Sequence, residues 1–356
     1  MKHLLIMAAG TGGHIFPGLA IADTMRARGW QVSWLGTQRG MEADIVPARG
    51  IAFDAIDFAG LRGKGVWHML VGLLKMIAGF LRCGAIIRAR RPDVVLGMGG
   101  YVTVPGGMMA AIHRKPLALM NADAALLMSN KALLPFAKKI LFGFAAAGAS
   151  DAKAQITGNP VRREIRNLPP PSQRYQNRGG PLNVLVIGGS LGARVLNDTV
   201  PAALALIPEQ DRPHVVHQSG KQNIEALTKN YADAGVQAEV LDFIDDMASR
   251  YAAADVVICR AGAITVTELC AAGVASVLVP LVVSTTSHQR NNAQWMAAHG
   301  AALHLPQPQM NAASLATLLH ELTRARCLHM AERAYQQGKR EANDAIAGVL
   351  EDLGSQ

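Results

Sequence analysis

Residues 93–104 of this 356-residue chain read DVVLGMGGYVTV, and residues 255–266 read DVVICRAGAITV. Six of the twelve positions are identical at one constant offset of 162. A second pair of stretches agrees with the first: IMAAGTGGH (6–14) answers to LVIGGSLGA (185–193), with Thr11 facing Ser190. Strand candidates HLLIMA, QVSWLG, DVVLGM, PLALM, NVLVIGG, HVVHQSG, DVVICR and SVLVP alternate with helical stretches along the whole chain. That grammar belongs to parallel sheets with crossover helices. The chain therefore reads as two doubly wound α/β domains, a number its length suits. Prolines, glycines and polar residues replace periodic structure at NLPPPSQRYQNRGGPLN (167–183), a candidate boundary. Ligands of such sheets bind outside the carboxyl ends of the strands, so two such domains imply a cleft between their glycine-rich turns.

The first turn lies in MAAGTGGHIFPGLA (7–20), where Gly10, Gly12, Gly13, Gly18 and His14 crowd a strand-to-helix junction. A dinucleotide fingerprint is excluded, because Gly10-Thr11-Gly12 lacks the third glycine and QVSWLGT ends without an acidic residue. A P-loop is excluded because the turn has no lysine. Two readings stay open. Glycines serve the dihedrals of a tight turn, or they expose N–H groups to an anion at the positive end of the following helix.

Composition narrows the partners. Residues 1–160 carry 18 Lys+Arg against 8 Asp+Glu, a net +10, and residues 161–356 carry 17 against 18, a net −1. The basic half suits an anionic membrane surface or nucleic acid. Aromatic residues are only 5% and no nucleic-acid module signature occurs, so no nucleic-acid partner is expected. Cys83, Cys259, Cys270 and Cys327 are scattered without C-x-x-C, which points to a reduced, cytoplasmic compartment with no zinc site. The N-terminus enters a strand candidate directly, without the charged region and cleavage site of a secretory signal.

GTGGHIFPGLA, LRGKG, VVLGMGGYV, GNPVR, GGSLGA, HQSG, FIDDM and AGAITVTE follow one another in this chain to about residue 305. Their order resembles the MurG family, the UDP-N-acetylglucosamine–lipid I glycosyltransferases of peptidoglycan synthesis. The resemblance implies a GT-B architecture of two Rossmann-like domains: an acceptor and membrane-associating domain over 1–160, and a UDP-GlcNAc-binding domain over 161–335. A C-terminal helix at about 336–353 is then expected to pack back on the first. The resemblance further implies inverting transfer of GlcNAc from UDP-GlcNAc to the MurNAc 4-hydroxyl of lipid I (undecaprenyl-pyrophosphoryl-MurNAc-pentapeptide), giving lipid II. The setting implied is peripheral, at the cytoplasmic face of the inner membrane. Donor contacts are implied at Thr11, Gly12, Gly13, Arg162 and Ser190, at Ile244 through its backbone to uracil, along Ala263, Ile264, Thr265, Val266, Thr267 and Glu268, and at Gln289 beside Asn292.

The residues fit that chemistry. A departing diphosphate must be stabilised as its charge develops. The D-x-D motif that holds a metal in some glycosyltransferases occurs nowhere in the sequence. Glycine-rich turns ahead of helices supply fixed N–H donors instead, so no metal or cofactor is expected. His14 is the candidate base for the acceptor hydroxyl, since a neutral imidazole of pKa about 6.5 can take its proton; a lone histidine also serves structure alone. Glu268 either binds the ribose hydroxyls, as the resemblance implies, or closes a capping box with Thr265.

One stretch departs from the family pattern. Where many members carry His-Glu-Gln-Asn after the strand matching PLAL, this chain has Met120-Asn121-Ala122-Asp123. Asp123 is thereby a candidate base, an orienter of His14, or an N-cap for AALLMSNKALL.

GVWHMLVGLLKMIAGFLRCGAIIRARR (65–91) is too interrupted by His68, Lys75 and Arg82 to span a membrane. Helical spacing puts Val66, Met69, Leu70, Leu73, Leu74, Ile77 and Leu81 toward the core, with Trp67, Val71, Met76 and Phe80 largely off that stripe. The segment is a core helix covered on both sides, or an interfacial patch whose basic residues attract anionic lipid. Two other classes fit the architecture: a UDP-GlcNAc 2-epimerase-like enzyme and a non-catalytic nucleotide-sugar-binding protein.

Overall fold

A computed structural model describes residues 1–57, 66–123, 126–144, 152–189, 191–281 and 288–355, with the helix backbone alone over 66–75. The chain divides into two compact units, Met1–Arg162 with Glu341–Gln356, and Arg163–Arg340. The first holds strands β1 (His3–Ala8), β2 (Gln31–Thr37), β3 (Ala52–Ile56), β4 (Val94–Gly99), β5 (Leu117–Asn121), β6 (Lys139–Phe142) and β7 (Ala154–Ile156). They form one parallel sheet in the order β3-β2-β1-β4-β5-β6-β7. The second holds β8 (Asn183–Ile187), β9 (His214–Gln218), β10 (Glu239–Leu241), β11 (Val256–Cys259), β12 (Ala275–Leu278) and β13 (Ala302–His304), parallel in the order β10-β9-β8-β11-β12-β13. Over six strands the two orders are the same, with β7 an extra edge strand in the first, so each sheet is doubly wound with a switch point, at β1/β4 and at β8/β11.

The repeated stretches are β4 with the helix Thr103–Ile112, and β11 with the helix Ala263–Ala272. The shared aspartate has one structural task in both copies. Asp93 accepts the His3 amide at 2.7 Å, and Asp255 accepts the Asn183 amide at 2.8 Å, each fastening the start of the neighbouring strand. Asp255 is fully buried and also pairs with Arg178 at 2.7 Å and Arg324 at 3.3 Å. Arg178 belongs to the proline- and glycine-rich stretch 167–183, which lies within the second unit. There the Tyr175 hydroxyl donates to the Asp255 carbonyl at 2.7 Å, and Arg174 donates to the Tyr251 carbonyl in helix Met247–Ala253 and to the Ala272 carbonyl at the end of helix Ala263–Ala272.

β1 is buried on both faces, as a central parallel strand must be. Leu4, Ile6 and Ala8 pack with Leu19, Ile21, Met25 and Trp34, while Leu5 and Met7 pack with Cys83, Ile86 and Ile87. The first cluster includes Ile346, Ala347, Leu350 and Leu353 of the C-terminal helix Ala342–Leu353. Its buried Asn343 accepts the Val161 amide at 2.9 Å and donates to the Val161 carbonyl at 3.0 Å.

The helix Val66–Arg90 corrects one expectation. Ile77 and Leu81, placed on the core side by spacing, are 47% and 67% exposed, and Cys83, Ile86 and Ile87 form the buried face. The segment is apolar around most of its circumference, so periodicity does not single out the face that turns inward. The expected core positions Val66, Met69, Leu70, Leu73 and Leu74, with Trp67, have side chains outside the described residues.

Asn343→Ala leaves the Val161 amide and carbonyl without partners. It is expected to destabilise the chain by about 1–3 kcal/mol, measured by denaturant unfolding; an unchanged midpoint counts against Asn343 as the tie.

Candidate functional site

The glycines of the first turn divide by task. Gly10 sits at φ +100°, a conformation that glycine alone adopts freely. Gly18 lies under Trp34, where a Cβ would come within 2.6 Å of the indole. Gly12 and Gly13 have no positive φ, and a Cβ on exposed Gly13 would meet only Thr11 Oγ1, at 3.6 Å. The fold itself does not demand glycine at 13. Gly12 and Gly13 open the helix Gly12–Ala27, whose first N–H groups have no intrahelical acceptors. Arg162 holds its guanidinium over the Phe16 ring at 5.2 Å, one turn into that helix. Arg162 is the last residue of the first unit's long segment.

His14 stands at the switch point between β1 and β4. A Cβ on Gly99 would lie 2.6 Å from both Cε1 and Nδ1 of the ring, so Gly99, at φ +118°, is the seat that admits the imidazole. Gly100 lets the second turn press on the first: a Cβ there would lie 2.3 Å from the Ala9 carbonyl oxygen. Burial lowers the His14 pKa below its ordinary value, while the Met98 carbonyl and the Asp123 carboxylate act to raise it. Nδ1 is buried without a hydrogen bond of good geometry, so the Met98 carbonyl polarises the ring without meeting that geometry. The result is an imidazole kept neutral at physiological pH, the form a base requires.

Asp123 is not a helix cap. The helix after β5 is Met128–Leu133, and its N-cap is Leu127. The loop that presents Asp123 is organised by buried Asn121, which donates to the Asp123 carbonyl at 2.6 Å and accepts the Leu127 amide at 3.0 Å. Asn130 donates to the Met120 carbonyl at 3.0 Å, and Asn159 to the Ala122 carbonyl at 3.0 Å.

In the second unit Ser190 lies outside the described residues. The turn around it is tight: a Cβ on Gly192 would fall 1.9 Å from the Ser219 carbonyl oxygen, and one on Gly188 2.2 Å from the Ala193 amide. Its carbonyls are held by side chains, Gly189 by Gln218 Nε2 at 3.2 Å and Leu191 by Asn223 Nδ2 at 3.1 Å. His217 of HQSG is structural, buried against the Tyr231 hydroxyl at 2.9 Å.

The helix Ala263–Ala272 is capped by Gly262 with no side-chain cap. Thr265 is therefore its third residue, and Glu268 lies too deep to close a capping box with it. Glu268 is instead a buried carboxylate 3.4 Å from the Tyr251 hydroxyl. Ile264 and Thr265 are half-buried, while Ala263, Val266 and Thr267 are buried, Thr267 bonding the Ala263 carbonyl at 2.8 Å. Ile244 is buried between β10 and the helix Met247–Ala253. Gln289 accepts the Leu281 amide at 2.9 Å, and buried Asn292 donates to the Ala261 carbonyl at 3.0 Å. A groove of about 540 Å³ lies elsewhere, at the amino-terminal ends of β8, β9 and β10, lined by Asn183, His214, Glu239 and Arg250. It is at the wrong end of the strands for a doubly wound site.

Sequence reasoning missed Gly99, whose role is visible only once β4 lies beside β1. It also missed Glu42, a fully buried carboxylate on which the Gly10 amide and Thr37 converge. The one trace in the sequence is an acid that follows Gly36 and Gly40 just after a strand candidate.

A nucleotide-sugar transferase is the class that this fold and these turns define. Residues 4–142 match the glycosyltransferase family 28 N-terminal domain, and residues 183–347 match the glycosyltransferase family 28 C-terminal domain. The chain is 63% identical to a UDP-N-acetylglucosamine–N-acetylmuramyl-(pentapeptide) pyrophosphoryl-undecaprenol N-acetylglucosamine transferase of Janthinobacterium sp. (strain Marseille), over 99% of both chains. It is 65% identical to the protein of the same name from Herminiimonas arsenicoxydans, again over 99% of both. The crystal structure of Acinetobacter baumannii MurG matches with a TM-score of 0.79 at 35% identity, covering 99% of this chain and 100% of that one. The chain belongs to glycosyltransferase family 28 and, within it, to the MurG family.

The titration of His14 gives the site a signature. A base at His14 works in its neutral form, so with that role the rate is expected to fall on the acid side through the His14 pKa, below 6.5. Asp123 favours the imidazolium and raises that pKa. Asp123→Asn is therefore expected to move the acid limb of the kcat–pH profile to lower pH, read from initial rates of sugar transfer. A limb that stays in place separates Asp123 from His14. Gly99→Ala, which displaces the ring, is expected to lower kcat about 10²-fold.

Proposed function

We propose that the chain is an inverting glycosyltransferase. It transfers GlcNAc from UDP-GlcNAc to the MurNAc 4-hydroxyl of lipid I, giving lipid II in peptidoglycan synthesis, with no metal required. The observation that carries the mechanism is the seat of His14 on Gly99, beside the open amides of Gly12 and Gly13. The neutral imidazole takes the proton of the 4-hydroxyl as its oxygen attacks the anomeric carbon. The bond from that carbon to the diphosphate oxygen breaks, UDP departs, and the single displacement inverts the centre.

Developing charge on the diphosphate is stabilised by fixed N–H donors and by the Arg162 guanidinium. The second unit holds the donor. Its glycine turn suits this because it is held rigid, by side chains on its carbonyls at 189 and 191 and by the Gly192 amide donating to the Gly189 carbonyl. Ser190 and Thr265 line the donor, the Ile244 backbone meets uracil, Glu268 binds the ribose hydroxyls, and the amide group of Gln289 reaches the sugar. Asp123 orients His14 or shares its proton.

The test is transfer of labelled GlcNAc from UDP-GlcNAc to a lipid I analogue in excess EDTA. Wild-type protein is expected to turn over. His14→Ala is expected to lower kcat by about 10²- to 10⁴-fold with UDP affinity nearly unchanged. Loss of wild-type activity in chelator, restored by Mg²⁺, counts against metal independence, and full activity in His14→Ala counts against the base.

Among the described residues no helix is long and apolar enough to cross a membrane. The chain acts as a peripheral protein at the cytoplasmic face of the inner membrane, through its basic first unit. Helix Val66–Arg90 packs on Thr103–Ile112, which packs on Met128–Leu133. These helices expose Ile77, Leu81, Ile112 and Met128 among Arg82, Arg88, Arg114 and Lys131. Apolar side chains at the headgroup boundary with cations around them suit anionic lipid. Binding to vesicles is expected to rise with anionic lipid content and fall with salt. Leu81→Ser with Met128→Ser is expected to weaken it without lowering the melting temperature; equal binding to neutral and anionic vesicles removes the electrostatic part.

A further inference from the structure

Glu42 has no place in the chemistry above, yet it is held at several points beside it. Its side chain is fully buried. Thr37 donates to Oε1 twice, from its amide at 3.0 Å and its hydroxyl at 2.6 Å, and the Gly10 amide donates to Oε2 at 3.3 Å. Two glycines make room for it: a Cβ on Gly36 would lie 2.8 Å from Glu42 Cγ, and one on Gly40 2.1 Å from Oε2. The carboxylate thus has one position, and it joins the end of β2 to the turn after β1.

That turn has little of its own to hold it. Thr11, the N-cap of helix Gly12–Ala27, is extended and makes no side-chain cap bond. Gly10 before it is at φ +100°, a residue type with maximal backbone freedom. The turn is braced from outside, by Gly100 against Ala9 on one side and by Glu42 on the other. The second unit solves the same problem at the same place in the repeat. There Gln218, the last residue of β9, donates to the Gly189 carbonyl. In the second unit the end of the neighbouring strand tethers the glycine turn, and in the first the tether is Glu42, which opens the helix Glu42–Ala48 and is fastened to the end of β2 through Thr37.

We infer that Glu42 is a positioning residue for transfer: it fixes Gly10 so that the Gly12 and Gly13 amides and the His14 ring keep one geometry. The inference rests on the reaction proposed above. Glu42 touches none of the reacting groups, so it acts on the rate through the turn. Misplacement of a catalytic group by about 1 Å costs on the order of 10²-fold in rate.

Glu42→Gln keeps the volume but offers an NH₂ group where an acceptor is needed, at Gly10 or at Thr37. With UDP-GlcNAc and a lipid I analogue, it is expected to lower kcat about 10- to 100-fold. The donor KM stays within about 2-fold, because the second unit holds the donor, a split that simple loss of folded protein does not produce. Thr37→Val, which removes only the hydroxyl bond, keeps the test open if Glu42→Gln does not fold. It is expected to lower kcat in the same direction, and Thr37→Ser to restore it. Folded Glu42→Gln or Thr37→Val with wild-type kcat overturns the inference alone. Wild-type protein that transfers no sugar overturns the reaction on which it rests.

Discussion

The contact on which the first unit's site depends is the close approach of two backbone turns. Gly100, after β4, lies against the Ala9 carbonyl, after β1, with no room for a methyl group. Neighbouring parallel strands usually send their connections to opposite faces at a switch point, which opens a crevice there. Here the crevice is narrowed by glycine until an imidazole fills it. Gly99 gives the ring its seat, and the open first turn of helix Gly12–Ala27 stands beside it. Burial of the ring follows from the same closeness and keeps it uncharged. Position and protonation state thus have a single cause.

The two units share a plan and differ where their ligands would differ. Asp93 and Asp255 fasten the starts of β1 and β8 in the same way, far from the strand ends that carry chemistry. At those ends the tethers have opposite polarity. A carboxylate accepts an amide of the first turn, and an amide side chain donates to a carbonyl of the second. A tether to a carbonyl takes no N–H donor from the turn, and a tether to an amide takes one. The repeated scaffold tolerates both because the tether comes from outside the turn's own dihedrals, from the helix after β2 in one unit and from the end of β9 in the other.

Much of this was legible in the residues. The parallel, doubly wound class follows from the alternation of β-branched runs with helical stretches, and the repeat at constant offset doubles it. Gly10 through His14 stood out because glycine density at a strand-to-helix junction has few physical causes. Other features were hidden for identifiable reasons. Gly99 and Glu42 matter through contacts with β1 and β2, and spacing along the chain carries no information on those neighbours. Thr265 and Glu268 have capping-box spacing, but the helix begins at Ala263, and a pattern cannot locate a start that glycine also permits. Asp123 precedes a helical pattern, yet the Asn121 and Asn130 bonds hold the loop open to Leu127. The apolar helix Val66–Arg90 offered no contrast between its faces, so its inward side was set by tertiary packing.

The C-terminal helix Ala342–Leu353 completes the core of the first unit, beside Leu19 and Trp30. That unit is consequently discontinuous in sequence, while the second, Arg163–Arg340, is continuous. A ribosome delivers the chain from its N-terminus, and domains fold as units once their residues have emerged. The second unit is therefore the first to have its whole sequence outside the ribosome. The basic first unit keeps an open apolar flank until residues 342–353 arrive, so the basic, glycine-rich half reaches its final packing after the whole second unit has emerged.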